Sequence, residues 1–170
     1  DPDDRPEGAR RLRHRARDGV AIDARSGEPE AVTAIRPFER DDIPAVLDLW
    51  RSSEGLGVGP GDTVEGVARL LDRNPGCSWV AADGAVIAGA ILCGHDGGRG
   101  HLYHLAVSPD YRRQGLASAL VQKSLLALRT AGIERCLLSV LVENEAATRF
   151  WTSIGARMRP ELHMLSFDIR

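Results

Sequence analysis

Leu102-Tyr103-His104-Leu105-Ala106-Val107-Ser108-Pro109-Asp110-Tyr111-Arg112-Arg113-Gln114-Gly115-Leu116-Ala117 brings an apolar strand pattern into a small-residue loop, and an apolar helical pattern leaves it. Past a strand end, such a loop lets successive backbone N–H groups point at one anion, and the positive end of the following helix adds to their pull. Gly115 and Ala117 leave the backbone room to approach. This is the layout of a pyrophosphate cradle. Two common cradles are excluded by spacing: a Walker loop needs Gly, four residues, then Gly-Lys-Ser/Thr, and a dinucleotide fingerprint needs further glycines at fixed offsets before Gly115.

Twenty-seven residues after Ala117, about what one helix and one strand consume, stands Asn144-Glu145-Ala146-Ala147-Thr148-Arg149-Phe150-Trp151-Thr152-Ser153-Ile154-Gly155-Ala156. Taken singly, Asn144 reads as a helix N-cap, Phe150 and Trp151 as core, and Gly155 as a C-terminal cap. In this order and at this separation, the two segments resemble the GNAT superfamily of N-acyltransferases. Arg112-x-x-Gly115-x-Ala117, introduced by Leu105-Ala106-Val107-Ser108-Pro109, matches that family's acyl-CoA motif, Gln/Arg-x-x-Gly-x-Gly/Ala. The second segment matches its Asn-opened helix with an Ala, an aromatic pair and a closing Gly. Gly94-His95-Asp96-Gly97-Gly98-Arg99-Gly100-His101 is similar to the bacterial YpeA-like acetyltransferases within the superfamily.

The resemblance covers Ala31 to Arg170 and implies an α/β fold of GNAT type: a mixed, mostly antiparallel sheet with helices on both faces. In that fold the cradle strand and the next one splay apart, and pantetheine lies in the gap like an added strand. The implied activity is N-acetyl transfer from acetyl-CoA to a primary amine, directly and in a ternary complex, without a metal. The acceptor is a small molecule or a protein N-terminus, and a homodimer is compatible with the family. Backbone groups of Leu105, Ala106 and Val107 are then expected on pantetheine. Arg112, Arg113, Gln114, Gly115, Leu116 and Ala117 are expected around the pyrophosphate, and Asn144, Ala147, Phe150 and Trp151 along the CoA arm. The alternative from another class is a non-catalytic acyl-CoA sensor or interaction module.

Acyl transfer to an amine requires removal of a proton from the ammonium, and stabilisation of the tetrahedral intermediate and the departing thiolate. Strand alternation puts His101 and Tyr103 on the face of Leu105 and Val107, with Leu102, His104 and Ala106 on the other. His101-Leu102-Tyr103 resembles the strand of arylalkylamine N-acetyltransferases, in which alternate histidines hold the places of His101 and Tyr103. His101 is therefore the candidate base, since an unperturbed imidazole titrates near pH 6.5; the same residue also reads as an ordinary strand-end histidine. Tyr103 is a candidate proton donor. Two positions depart from the family pattern: Trp151 stands where many members have an acidic Tyr, and Ser139 where the ribosomal-protein acetyltransferases have a Glu. An indole N–H cannot give up a proton near neutral pH.

At 170 residues the chain suits one domain with a sizeable core. A net charge of -2 gives no basic field for nucleic acid. No apolar run reaches the roughly 18 residues of a membrane span, and no signal-like start is visible, so a cytoplasmic protein is expected. Cys77, Cys93 and Cys136 have neither metal spacing nor a disulfide framework and read as small buried hydrophobes. Asp1 to Glu30, rich in arginine and poor in apolar residues, reads as a flexible arm or one peripheral helix.

From Ala31 the pattern is globular. A strand is expected over Val32–Arg36 and a helix from Asp41-Asp42-Ile43-Pro44 to Trp50. After the glycine-rich loop Glu54–Gly61, a capping box Asp62-x-x-Glu65 should start a helix to Arg73. A hairpin across Asp83-Gly84 should join strands over Cys77–Ala82 and Ala85–Gly94. Gly132 should end the long helix after the cradle. Strands over Arg135–Val142 and Leu162–Ile169 should flank a helix over Glu145–Ile154.

Overall fold

The computed structural model describes residues 33–169. The arginine-rich segment, whose expected character was an arm or single helix, lies outside the described residues.

The elements run β1 (Ala34–Pro37), α1 (Ile43–Ser52), α2 (Val64–Arg73), β2 (Trp79–Asp83), β3 (Val86–His95), β4 (Gly100–Val107), α3 (Leu116–Thr130), β5 (Cys136–Leu138) and α4 (Glu145–Ser153). The strands form one sheet in the order β1-β2-β3-β4-β5. Every pair is antiparallel except β4 with β5, which must be parallel because α3 carries the chain back across the sheet. The expected mixed, mostly antiparallel sheet with helices on both faces is the observed one.

Each face has its own core. Ile43, Val46, Leu47 and Trp50 recur at helical spacing, so α1 turns one apolar stripe onto Val80, Ala90, Leu92 and Ala106, with Val67 and Ala68 of α2 closing the layer. On the opposite face Leu116, Leu120, Val121 and Leu128 of α3 cover Ala81, Ala88, Ile91, Cys93 and Leu102. Burying one such large side chain contributes about 1.5–3 kcal/mol. Gly89 and Gly100 permit this closeness, because a Cβ on either would press on Leu120 or Leu128 of α3.

Four local expectations are corrected. The hairpin turns on Gly84-Ala85, with Asp83 paired to Val86, because Gly84 takes the left-handed φ of +57° that the first turn position of this hairpin requires. Thr63, not Asp62, caps α2: its hydroxyl accepts from Gly66 N at 3.0 Å, while Asp62 is turned elsewhere. β5 keeps only three of the residues expected in it. Residues 162–169 form no strand, and Phe167 and Ile169 are 94 and 96 % exposed. An alternating pattern needs an edge to pair with, and three residues of β5 provide little; just past the strand end, Ser139 Oγ donates to Met164 Sδ at 3.6 Å.

The fifth correction bears on the site. Leu92 pairs with His104 but Cys93 pairs with Leu102, so Tyr103 is an extra residue in β4. This β-bulge shifts the alternation by one. Leu102 consequently packs on the α3 side with Leu105 and Val107, and His101 falls on the α1/α2 side, the reverse of the face assigned by simple alternation.

Candidate functional site

The cradle is built as a sequence of locked turns. Ser108 N donates to Ala88 O at 2.8 Å and Tyr111 N to Ser108 O at 2.9 Å, closing a 3-10 turn over Pro109–Tyr111. The Tyr111 hydroxyl donates to Asp83 Oδ2 at 2.9 Å, tying this turn to the β2–β3 hairpin. That bond is made by the neutral phenol, and it holds the Tyr111 pKa above the ordinary value. Arg113 and Gly115 then adopt left-handed φ angles of 63° and 78°. Alternation of this kind folds successive N–H groups toward one side.

The first helical bond across the junction runs from Ala119 N to Gly115 O at 3.0 Å. The N–H groups of Leu116, Ala117 and Ser118 therefore precede the helical ladder and have no acceptor within it. No protein atom outside the glycine's own chain neighbours stands within 4 Å of where a Cβ on Gly115 would be. The mouth of the cradle is open, with Arg112, Arg113 and Gln114 exposed around it. Arg112 Nε donates to Val107 O at 3.3 Å, linking the cradle to the end of β4.

Beside it, β4 and β5 part. They pair only at Gly100–Cys136, His101–Leu137 and Leu102–Leu138, although β4 continues to Val107. Among the described residues, no strand covers the outer edge of β4 from Tyr103 onward. After β5 the chain enters α4, where Asn144 Oδ1 caps the helix by accepting from Ala147 N at 3.0 Å. Phe150 and Trp151 meet edge to face at 5.2 Å and pack on the α3-side core. Arg112 to Ala117 thus follow the unpaired end of β4 through the Pro109–Tyr111 turn, while Asn144 ties the N-terminus of α4 to Gly55 in the loop between α1 and α2.

On the α1/α2 side of β4, His101 and Tyr103 stack with ring centroids 5.8 Å apart. Tyr103 is 48 % exposed, and its partial burial raises the phenol pKa, keeping it protonated as a donor. A third group is a pair that sequence reasoning did not connect. His104 Nε2 lies 2.7 Å from Asp62 Oδ1, with the two side chains 12 and 13 % exposed. Asp62 Oδ2 accepts from Gly59 N at 2.6 Å, and the Trp50 ring lies 4.7 Å from the imidazole. Assigning Asp62 to a capping box concealed this pair, and the bulge reversed the face expected of its neighbour His101. The one available signal was an acid placed directly after a glycine-rich loop.

The cysteines are free thiols. Burial pushes Cys93 to about 12 and Cys136 to about 11, so neither is a thiolate near neutral pH. Among the described residues, no His, Cys, Asp and Glu cluster could hold a metal, and no helix is long and apolar enough to cross a membrane.

The sequence profile of the Acetyltransferase (GNAT) family matches residues 43–156. The chain belongs to the GNAT acetyltransferase family. An acetyltransferase of Sodalis glossinidius is 31 % identical over 131 residues, covering 77 % of this chain and 92 % of that protein. Ard1 from Thermoplasma volcanium superposes with a TM-score of 0.63 at 24 % identity, over 72 % of this chain and 80 % of that one. The NatC complex bound to Gag peptide and CoA gives 0.62 at 21 % identity, over 74 and 86 % of the two chains. The GNAT architecture expected from the two sequence segments is therefore the observed one, and this chain is an N-acetyltransferase.

Proposed function

We propose that this acetyltransferase uses acetyl-CoA and passes the acetyl group directly to a primary amine within a ternary complex. The observation that carries the reading is the junction of two features. Among the described residues the outer edge of β4 has no strand partner after Leu102, and it leads straight into the open turn at Arg113–Ala117. An extended pantetheine chain with amides suits the first as an added strand, and a pyrophosphate suits the second. The cradle fits that group because nothing of the protein fills the space before Gly115.

Direct transfer needs no nucleophilic side chain. Burial raises the pKa of all three thiols, Cys93 to about 12 and Cys136 to about 11, so a covalent cysteine intermediate finds no support here. The departing CoA thiol is acidic enough to leave as thiolate, which removes the need for the tyrosine that Trp151 replaces. Tyr103, whose partial burial keeps it a phenol, would supply a hydrogen-bond donor.

The test is release of free CoA from acetyl-CoA, followed by thiol titration, with a panel of a polyamine, an aminoglycoside, free amino acids and a peptide with a free N-terminus. Acceptor-dependent release is expected for at least one class. Tight CoA binding without any release would instead favour the sensor reading, which Trp151 and Ser139 motivate.

A further inference from the structure

We propose that His104, oriented by Asp62, is the general base that takes the proton from the acceptor ammonium, a role that rests on the acetyl-transfer reading above. His104 stands directly after the bulged Tyr103 and two residues beyond Leu102, the last residue of β4 that β5 pairs. It therefore sits where the strands part, on the side covered by α1 and the glycine-rich loop before α2.

The pair has the construction of an oriented base. A carboxylate only accepts hydrogen bonds, so the ring nitrogen facing Asp62, Nε2, carries the proton, and Nδ1 of the neutral imidazole keeps its lone pair. Gly59 N holds the second carboxylate oxygen, and the Trp50 ring packs on the imidazole, so neither partner turns freely. Among the described residues no group bonds Nδ1. The side-chain polar atoms that are both buried and unpartnered there are the indole nitrogens of Trp50 and Trp79, so the described residues do not enclose Nδ1. His101 stacks on Tyr103, and no carboxylate of the described residues orients it.

In the step itself, an N–H bond of the ammonium breaks and a bond from Nδ1 to that proton forms. The freed nitrogen lone pair attacks the thioester carbonyl carbon, and the C–S bond breaks with its electrons on sulfur. The surplus proton on the new amide nitrogen goes to the thiolate or to water. The imidazolium, paired with the Asp62 carboxylate, returns its proton to solvent. Asp62 is the positioning residue: in Asp62→Asn the amide can donate to Nε2, which forces the proton onto Nδ1 and removes the lone pair.

Full-length wild type, His104→Gln, Asp62→Asn and His101→Gln would be compared in acetyl-CoA consumption, with the amine panel and with water alone, across pH. Acetyl-CoA Kd and ring 15N spectra of His104 would be recorded alongside. His104→Gln is expected to lower kcat by about 10²-fold or more, in the range of general-base catalysis, to lose the acidic limb of the pH profile, and to keep Kd within about twofold. The spectra should show the Nε2–H tautomer in the wild type and its loss in Asp62→Asn. An Nδ1–H tautomer in the wild type overturns the proposal even if no acceptor is turned over. So does a His104→Gln enzyme that retains the acidic limb, or one as active as the wild type. If the wild type consumes no acetyl-CoA under any condition, the acetyl-transfer reading itself fails and this role fails with it.

Discussion

The side-chain amide of Asn144, the N-cap of α4, donates to the backbone carbonyl of Gly55 at 3.1 Å. One residue thus caps α4 and pins the glycine-rich loop between α1 and α2. Gly55 has a φ of +72°, and a Cβ there would collide with the Asn144 amide. Gly55→Ala is expected to cost about 1–2 kcal/mol from the left-handed backbone, and Asn144→Ala about 1 kcal/mol from the lost cap. Because both remove the same bridge, the double mutant should lose less than the sum. Urea unfolding of the two singles and the double checks this, and strict additivity would show that the bridge contributes nothing.

Gly115→Glu is expected to abolish acetyl-CoA binding with the fold retained. The new side chain enters open space, so no core atom is displaced, but its charge opposes the anion, and the φ of +78° adds about 1–2 kcal/mol of strain. Gly115→Asn separates the two effects, since Asn tolerates that conformation and is neutral; it should bind more weakly than wild type but measurably. Calorimetric titration with acetyl-CoA, alongside circular dichroism, reads both. Unchanged affinity in the Glu variant would sink the cradle assignment.

The parts of the fold that sequence revealed are those governed by local chemistry. Pro44 after two acids, Asn74-Pro75-Gly76 and Gly132 each punctuate a helix where expected. The turn after β4 was legible because the left-handed backbone at Gly115 calls for a residue without a Cβ. What escaped depends on partners distant in sequence. The bulge at Tyr103 exists only relative to β3, so strict alternation misassigned the face of His101. Asp62 satisfies the local capping pattern equally well, yet its partner His104 lies 42 residues away. The apolar alternation of residues 162–169 is a real strand signal without a long enough neighbour.

The cysteines should be inert in the native protein. With Cys93 at about 12 and Cys136 at about 11, thiolate at pH 8 is on the order of one part in a thousand or less, and burial blocks access to Cys77 and Cys93 besides. Iodoacetamide at pH 8 is expected to leave Cys77 and Cys93 unmodified over minutes and to label all three residues in urea. Mass spectrometry of tryptic peptides gives the answer, and rapid native labelling of Cys93 would contradict its burial on β3 beneath α3.

Arg36 and Asp42 form a bidentate pair, with both N–O distances 2.7 Å, and Asp42 Oδ2 also accepts from Glu39 N at 2.9 Å. Burial alone pushes the Asp42 carboxyl upward, but the Arg36 bonds and the Glu39 amide outweigh it and hold the pKa below the usual value. A depressed folded-state value means that the stabilisation is complete above the unfolded pKa of about 3.9 and is lost as pH falls from there through the folded value. Asp42→Asn should therefore cost about 2 kcal/mol at pH 7, with the deficit relative to wild type narrowing below about pH 4. The pair also fixes the turn that feeds Ile43 into α1, so the loss should appear as a lower urea midpoint with an unchanged slope. Midpoints measured at pH 7 and at pH 3 decide it: an equal deficit at both would assign the effect to packing of the side chain and not to its charge.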